Sequence, residues 1–300
     1  MNPLTSLLES YDYVLADGAM GTMLMDLGLE QGDPPEEWNV AHPDRIMQVQ
    51  RAYVDVGSQI LLSNTFGGSP FRLGLHGLED RLFELNKAGV ENARAAAADA
   101  PHTVVIAGDI GPSGELLEPL GTRTFEELRD GFARQAEALA AGGPDVIWIE
   151  TMSHLDEVRA AVEGVRSVTS LPLVLTMTFD TRGYTMMGVS PVQALEALQA
   201  YEPLALGANC GNGVEEIEGV IEAMHGADPS QILVAKSNAG IPQVVGSEIV
   251  YSGTPEVMAR YAVHARELGA RIIGGCCGTT PTHLEAMANA LRKATAAGIV

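Results

Sequence analysis

The chain has 300 residues, is 46% hydrophobic and carries a formal net charge of −21. That length builds a large core in one domain or two, and the charge excludes the basic footprint that nucleic acid or an anionic membrane requires. No apolar run is long enough to span a bilayer, no basic-then-apolar leader opens Met1–Tyr13, and the cysteine count is odd, at three; the expected compartment is a reducing cytoplasm.

In chain order, short apolar runs bounded by turn residues alternate with amphipathic stretches. The run Tyr13–Ala16 leads into Asp17-Gly18, and Pro43–Val56 follows with Ile46, Val49, Tyr53 and Val56 at helical spacing. Gln59–Leu62 leads into Asn64-Thr65-Phe66, then a helical stretch over Leu78–Ala98. Val104–Ala107 leads into Asp109-Ile110-Gly111-Pro112, then Phe125–Ala141, where Thr124 and Glu127 stand at capping-box spacing. Val146–Ile149 leads into Glu150-Thr151 and the helix Leu155–Val168. Leu173–Met177 leads into Thr178-Phe179-Asp180 and Pro191–Ala200, opened by Ser190-Pro191. Leu204–Ala208 leads into Asn209-Cys210 and Val214–Met224. Ile232–Ala235 leads into Ser237-Asn238-Ala239-Gly240 and Pro255–Leu268, opened by Thr254-Pro255. Arg271–Ile273 leads into Cys276-Cys277 and Pro281–Ala297.

Eight strand-then-helix units predict an α/β protein, a (β/α)8 TIM barrel in a single domain over residues 1–300. A doubly wound sheet is the competing arrangement. In such barrels the active site lies at the C-terminal strand ends. The residues after each run therefore converge on one rim. Any one Asp, Asn or Gly there is explained as a cap or turn residue; their convergence is not.

Two of the three cysteines lie in Gly274-Gly275-Cys276-Cys277-Gly278-Thr279-Thr280-Pro281, and the third in Gly207-Ala208-Asn209-Cys210-Gly211-Asn212-Gly213. Adjacent residues on a regular strand point to opposite faces, but flanking glycines let the backbone turn both sulfurs toward one point. On spacing alone, inert buried thiols and a metal site stand level. A bond between Cys276 and Cys277 is strained, and an iron–sulfur cluster lacks its fourth cysteine. The shared glycine setting at strand ends favours a soft or borderline metal, Zn²⁺ first, with three protein ligands and an open position.

Other candidates have plainer readings. His154 and His283 stand near strand ends as possible fourth ligands, though each reads better as a cap or surface residue. Met20, Met23, Met25, Met186 and Met187 can line a thioether pocket but more often fill gaps. Lys236 ends the seventh run, where a Schiff-base lysine sits in a barrel lyase. Trp38 and Phe66 are the aromatic candidates for holding a quaternary ammonium, with Trp38 better explained as a loop anchor.

Asp17-Gly18-Ala19-Met20-Gly21-Thr22, Asn64-Thr65-Phe66, Glu150-Thr151, Asn209-Cys210 and Gly274-Gly275-Cys276-Cys277-Gly278 together resemble the homocysteine S-methyltransferase family over nearly the whole chain. The resemblance implies a (β/α)8 barrel with zinc on Cys210, Cys276 and Cys277. It implies that Asp17 and Glu150 lie near the homocysteine ammonium, with Gly18, Asn64, Thr151 and Asn209 as further pocket residues. The expected reaction is attack of a homocysteine thiolate on a methyl donor: betaine, S-methylmethionine or a methyl-corrinoid protein. A separate homocysteine-binding subunit of a split cobalamin-dependent methionine synthase is the alternative. An oxygen or nitrogen side chain is expected to fill the fourth metal position until homocysteine displaces it.

Overall fold

The computed structural model describes residues 2–298 apart from 246 and 247. The strands are β1 (Val14–Leu15), β2 (Ile60–Leu62), β3 (Val105–Ile110), β4 (Val146–Met152), β5 (Leu173–Met177), β6 (Ala205–Cys210), β7 (Leu233–Ser237), β8 (Pro242–Val245), β9 (Glu248–Tyr251) and β10 (Ala270–Gly275). Eight of them form one parallel sheet in the order β1-β10-β7-β6-β5-β4-β3-β2, and a bridge between Ala16 and Ile60 joins the two ends. The result is a single-domain (β/α)8 barrel, as the alternation predicts. The eight predicted runs correspond to the eight barrel strands, the last of them β10. β8 and β9 are an antiparallel pair in the connection from β7 to the helix Pro255–Glu267, an addition to the eight expected strands.

Side chains alternate along each strand, so one parity fills the barrel and the other meets the helices. The inner set includes Val14, Ile60, Val105, Val146, Val174, Val234 and Ile272, all fully buried in one cluster. The first helix, Pro3–Ser10, closes the N-terminal end by adding Leu4, Leu7 and Leu8 to that cluster. Asn2 caps this helix and donates to the Asp145 carbonyl at 2.7 Å, fixing it under β4. Each Val or Ile sealed in this way contributes roughly 1.5–3 kcal/mol. The opposite parity, with Leu61, Ile106, Ile147, Leu175, Leu206 and Ile273, packs against the surrounding helices.

The predicted helices form with ends shifted by a few residues. Leu78–Ala98 starts later, at Leu82, after a 3-10 turn over Glu79–Arg81. Thr124 and Glu127 make the expected capping box, and Ser190 and Thr254 cap the helices that follow them. Four short helices were not expected: Pro3–Ser10, Met20–Asp26, Trp38–Ala41 and Pro70–Gly74. No helix among the described residues is long and apolar enough to cross a membrane.

Candidate active site

Continuing the inner parity toward the C-terminal strand ends changes the chemistry. Val105 and Ala107 are followed by Asp109, Val146 and Trp148 by Glu150, Ala205 and Gly207 by Asn209, Val234 by Lys236, and Ile272 and Gly274 by Cys276. The register agrees: Asp109 stands opposite Trp148, and Asn209 opposite Lys236. An acidic, amide, basic and thiol layer therefore lies directly on an apolar one.

Strict alternation would turn Cys210 outward, because Asn209 points in. Cys210 instead adopts φ 68°, a left-handed conformation unusual for a residue with a Cβ. Cys277 leaves the strand in the turn before the last helix. One amide joins the two segments: Asn238 donates from Nδ2 to Cys210 Sγ at 3.5 Å and to the Gly211 carbonyl at 2.6 Å, and its Oδ1 accepts from Cys277 N–H at 2.9 Å. The adjacent Gly278 also has positive φ, and a Cβ there would meet the Tyr251 ring at 2.2 Å. Burial first, then the three sulfurs, push the Tyr251 phenol up to about 12.

The sulfurs of Cys210, Cys276 and Cys277 lie within 4.8 Å of one another. Hydrogen bonds from the other two thiols, with the Asn238 amide, lower the Cys210 thiol's proton affinity despite burial; the contact with Cys210 is in turn the first cause that raises Cys276 and Cys277. A tetrahedral ion with metal–sulfur bonds of about 2.3 Å needs sulfurs about 3.8 Å apart, so this donor set fits a metal ion of that kind. No histidine or carboxylate among the described residues joins the three within that distance. His154 is the cap of Leu155–Val168, accepting from Asp156 N–H at 3.1 Å. His283 caps the last helix through Thr280 and donates from Nε2 to the Gly253 carbonyl at 2.9 Å. Both follow the cap reading.

Asn209 ties the thiols to the carboxylates. Its Nδ2 donates to Thr151 Oγ1 at 2.6 Å and to Glu150 Oε2 at 3.3 Å, and lies 3.9 Å from Cys276 Sγ. Its Oδ1 accepts from Thr151 N–H and from Thr176 Oγ1, which in turn accepts from Trp148 Nε1. Thr151 holds its place at φ 61°. Lys236 donates from Nζ to Asp17 Oδ1 at 2.8 Å and lies 5.4 Å from the Trp148 ring centroid. Asp17 Oδ2 accepts from Leu62 N–H at 2.7 Å. Burial lowers the proton affinity of Lys236, but Asp17, Glu150 and Cys276 outweigh it and hold the ammonium charged. A Schiff-base nucleophile must be neutral, so this ion pair sets aside the lyase reading. Burial pushes Glu150 up to about 8 and Asp109 well above the usual carboxylate range.

These groups surround a cavity of about 420 Å³. Asp17, Gly18, Asn64, Glu150, Thr151 and all three cysteines line it, as do Asp109 and Lys236; Asn209 lies beneath, fully buried. Gly18 has no room for a side chain, since a Cβ would meet Thr279 Oγ1 at 2.7 Å and Tyr53 at 2.9 Å. The roof is Pro34-Pro35-Glu36. Asn64 pins it by donating to the Pro35 carbonyl at 2.7 Å, and buried Glu36 accepts from Gly67 N–H at 2.6 Å. Of the aromatic candidates Phe66 lines the cavity, whereas Trp38 is buried outside it with Arg45 over its ring at 4.9 Å. Trp38 is thus a loop anchor. Of the five methionines only Met20 lines the cavity. Asn238 and Tyr251 were missed as partners of the thiols, and Asp109 was read only as a strand-end residue.

Three thiols that could hold a metal ion and a set of buried carboxyls thus share one cavity at the C-terminal rim of a parallel barrel. The profile of the homocysteine S-methyltransferase family matches residues 14–291. This chain belongs to that family. It is 31% identical to the methionine synthases of Mycobacterium leprae and Mycobacterium tuberculosis across 96% of its own length. It spans about a quarter of the length of these relatives, 25% in each case. The metallated homocysteine methyltransferase MmuM from Escherichia coli superposes with a TM-score of 0.82 at 27% identity, covering 96% of this chain and 99% of that one.

Proposed function

We propose that this barrel, as one homocysteine-binding unit, is a zinc-dependent homocysteine S-methyltransferase that forms methionine. The observation that carries the reading is the pairing of three thiols with buried carboxyls, bridged by Asn209, around one cavity. Homocysteine has a thiol at one end and an ammonium and carboxylate at the other, and this polarity matches the cavity. Cys210, Cys276 and Cys277 would hold the metal, and Asn238 and Asn209 would orient them through hydrogen bonds to sulfur. Zinc bound there supplies a lower thiol pKa, so that the substrate sulfur is presented as thiolate near pH 7.

The protein's own groups position the substrate and exclude water. The carboxyl layer holds the ammonium by charge-assisted hydrogen bonds, the turn Gly18–Thr22 lines the cavity for the carboxylate, and the Pro34–Glu36 roof covers the substrate. A sulfur lone pair forms the new S–CH₃ bond while the methyl–heteroatom bond breaks, and the leaving group keeps that electron pair. The thiol proton leaves for solvent before transfer, so no protein base is needed.

The donor is betaine, S-methylmethionine or a methyl group on a corrinoid protein. Phe66 on the cavity wall supports a small onium donor, whereas the match to methionine synthases supports a corrinoid partner or a split synthase. A donor screen on reduced, zinc-replete protein separates them. Methionine formed with betaine or S-methylmethionine assigns a small donor; methionine formed only with methylcobalamin or a methyl-corrinoid protein assigns the second reading. No methionine from homocysteine with any of them contradicts the proposed reaction.

A further inference from the structure

The cavity is polarised along its depth. Inside, Asp17, Asp109 and Glu150 face one lysine, and Lys236 is committed to Asp17. Asp109 Oδ1 has no donor among the described residues, so a carboxylate entering that layer meets like charge and no free cation. At the mouth the sign changes: exposed Arg72 and His76 line the cavity beside Glu36 of the roof.

Arg72 lies on the short helix Pro70–Gly74 and reaches the loop after β3, where a Cβ on Gly114 would stand 3.1 Å from its Nη1. Acidic side chains outnumber lysine and arginine by 39 to 18, yet among the described residues neither Arg72 nor His76 belongs to an ion pair. A guanidinium left free in so acidic a chain is open to a carboxylate from outside. Glu36 is 3% exposed and accepts from Gly67 N–H with Oε1. Burial raises its carboxyl, while backbone N–H groups and then Arg72 and His76 pull it down, so both cations act on it. The Phe66 ring stands on Gly111, where a Cβ would fall 2.6 Å from it, and the ring is thereby held in the cavity wall.

Resting on the methyl-transfer reading above, we infer that this mouth is a donor subsite for an onium that carries its own carboxylate: Arg72, with His76, takes the carboxylate, and Phe66 and Glu36 take the cationic end. The opposed signs orient the donor, with its carboxylate outward and its methyl groups toward the thiols. In the transfer the carbon–nitrogen or carbon–sulfur bonding pair stays on the departing heteroatom, which leaves as a neutral amine or thioether, and a thiolate lone pair makes the new bond. A corrin-bound methyl has no use for the Arg72 and His76 pair. Arg72 is then the residue that selects a carboxylated onium over an uncharged-tail analogue.

The test is calorimetric titration of the zinc-replete protein with three probes. Betaine and 3-(dimethylsulfonio)propanoate are an ammonium and a sulfonium with a carboxylate; choline has the trimethylammonium of betaine and a hydroxyl instead. Titrations are run without and with homoserine, whose hydroxyl is too weak a nucleophile to take the methyl. Wild type should bind at least one carboxylated onium about ten-fold or more tightly than choline, and which of the two it holds assigns the source. Arg72→Gln should lower that affinity about 10–100-fold, the worth of hydrogen bonds between charged groups, and leave choline within about two-fold. Arg72→Lys, which keeps the charge, should recover most of the loss, and His76→Gln should show a smaller one. Circular dichroism establishes that each variant is folded. Equal weakening of betaine and choline, or unchanged affinity in Arg72→Gln, overturns the inference. Wild type that binds none of the three, or holds choline as tightly as the others, also overturns it; methionine formed with methylcobalamin would then leave the proposed reaction standing. Selective, Arg72-dependent binding with no methionine formed from any donor sustains the subsite while the proposed reaction fails.

Discussion

The two ends of the barrel interior use the same strands and the same side-chain parity, yet they have opposite chemistry. At the N-terminal end Val14, Ile60, Val105, Val146, Val174, Val234 and Ile272 meet Leu4, Leu7 and Leu8 in a sealed apolar plug. A step or two further at that parity come Asp109, Glu150, Asn209, Lys236 and Cys276, and Asp17 joins them from just past the end of β1. The plug contributes apolar burial with no polar group to satisfy. The upper layer contains unpartnered and charged groups, which are costly to bury. The cost is concentrated where the cavity opens, so stability and chemistry are divided along each strand.

The largest expected effect comes from moving the chemistry downward. Val174→Asp places a carboxyl in the sealed layer with no cation, and leaving a buried charge uncompensated costs about 3–5 kcal/mol. Chemical denaturation should show a stability loss of that order or an unfolded chain. A loss below about 1 kcal/mol would mean the lower layer is not sealed.

A smaller effect tests the upper layer. Burial, with Cys276 and Asp17, raises Glu150 from 4.5 to about 8 against the opposing pull of Lys236. Between those values the folded chain keeps a proton that the unfolded chain has released. Stability of the metal-free protein should therefore fall as pH rises from about 4.5 to about 8, each such group adding a slope of up to about 1.4 kcal/mol per pH unit. Glu150→Gln should flatten the profile, leaving the part due to Asp109 and Asp17, which are raised in the same direction, against the smaller opposing slope of the single lowered thiol, Cys210. Stability that rises through this window, or a slope unchanged in the variant, contradicts the description of the layer.

The alternation of apolar runs with helical stretches made the barrel legible, because each parallel strand is buried on both faces and reads as a short continuous apolar run. The same fact hid the inner layer: Val105-Ile106-Ala107 has no period of two, so nothing in it announces that Asp109 points inward. Counting parity from any inward residue would have found Asp109. The left-handed backbone at Cys210 depends on local packing, and the amide bridge from Asn238 joins residues 28 and 39 positions apart. Glu36 was overlooked because a glutamate in a Pro-rich loop ordinarily faces water. The first helix has only eight residues, too short for its pattern to stand out before its docking face is known.

The most direct test of the central claim is X-ray absorption at the zinc edge of the reconstituted protein, without and with homocysteine. The expected result is one zinc per chain with three sulfur neighbours and one oxygen or nitrogen neighbour, changing to four sulfurs when homocysteine is added. Three sulfurs in both states, or fewer than three in either, would contradict it.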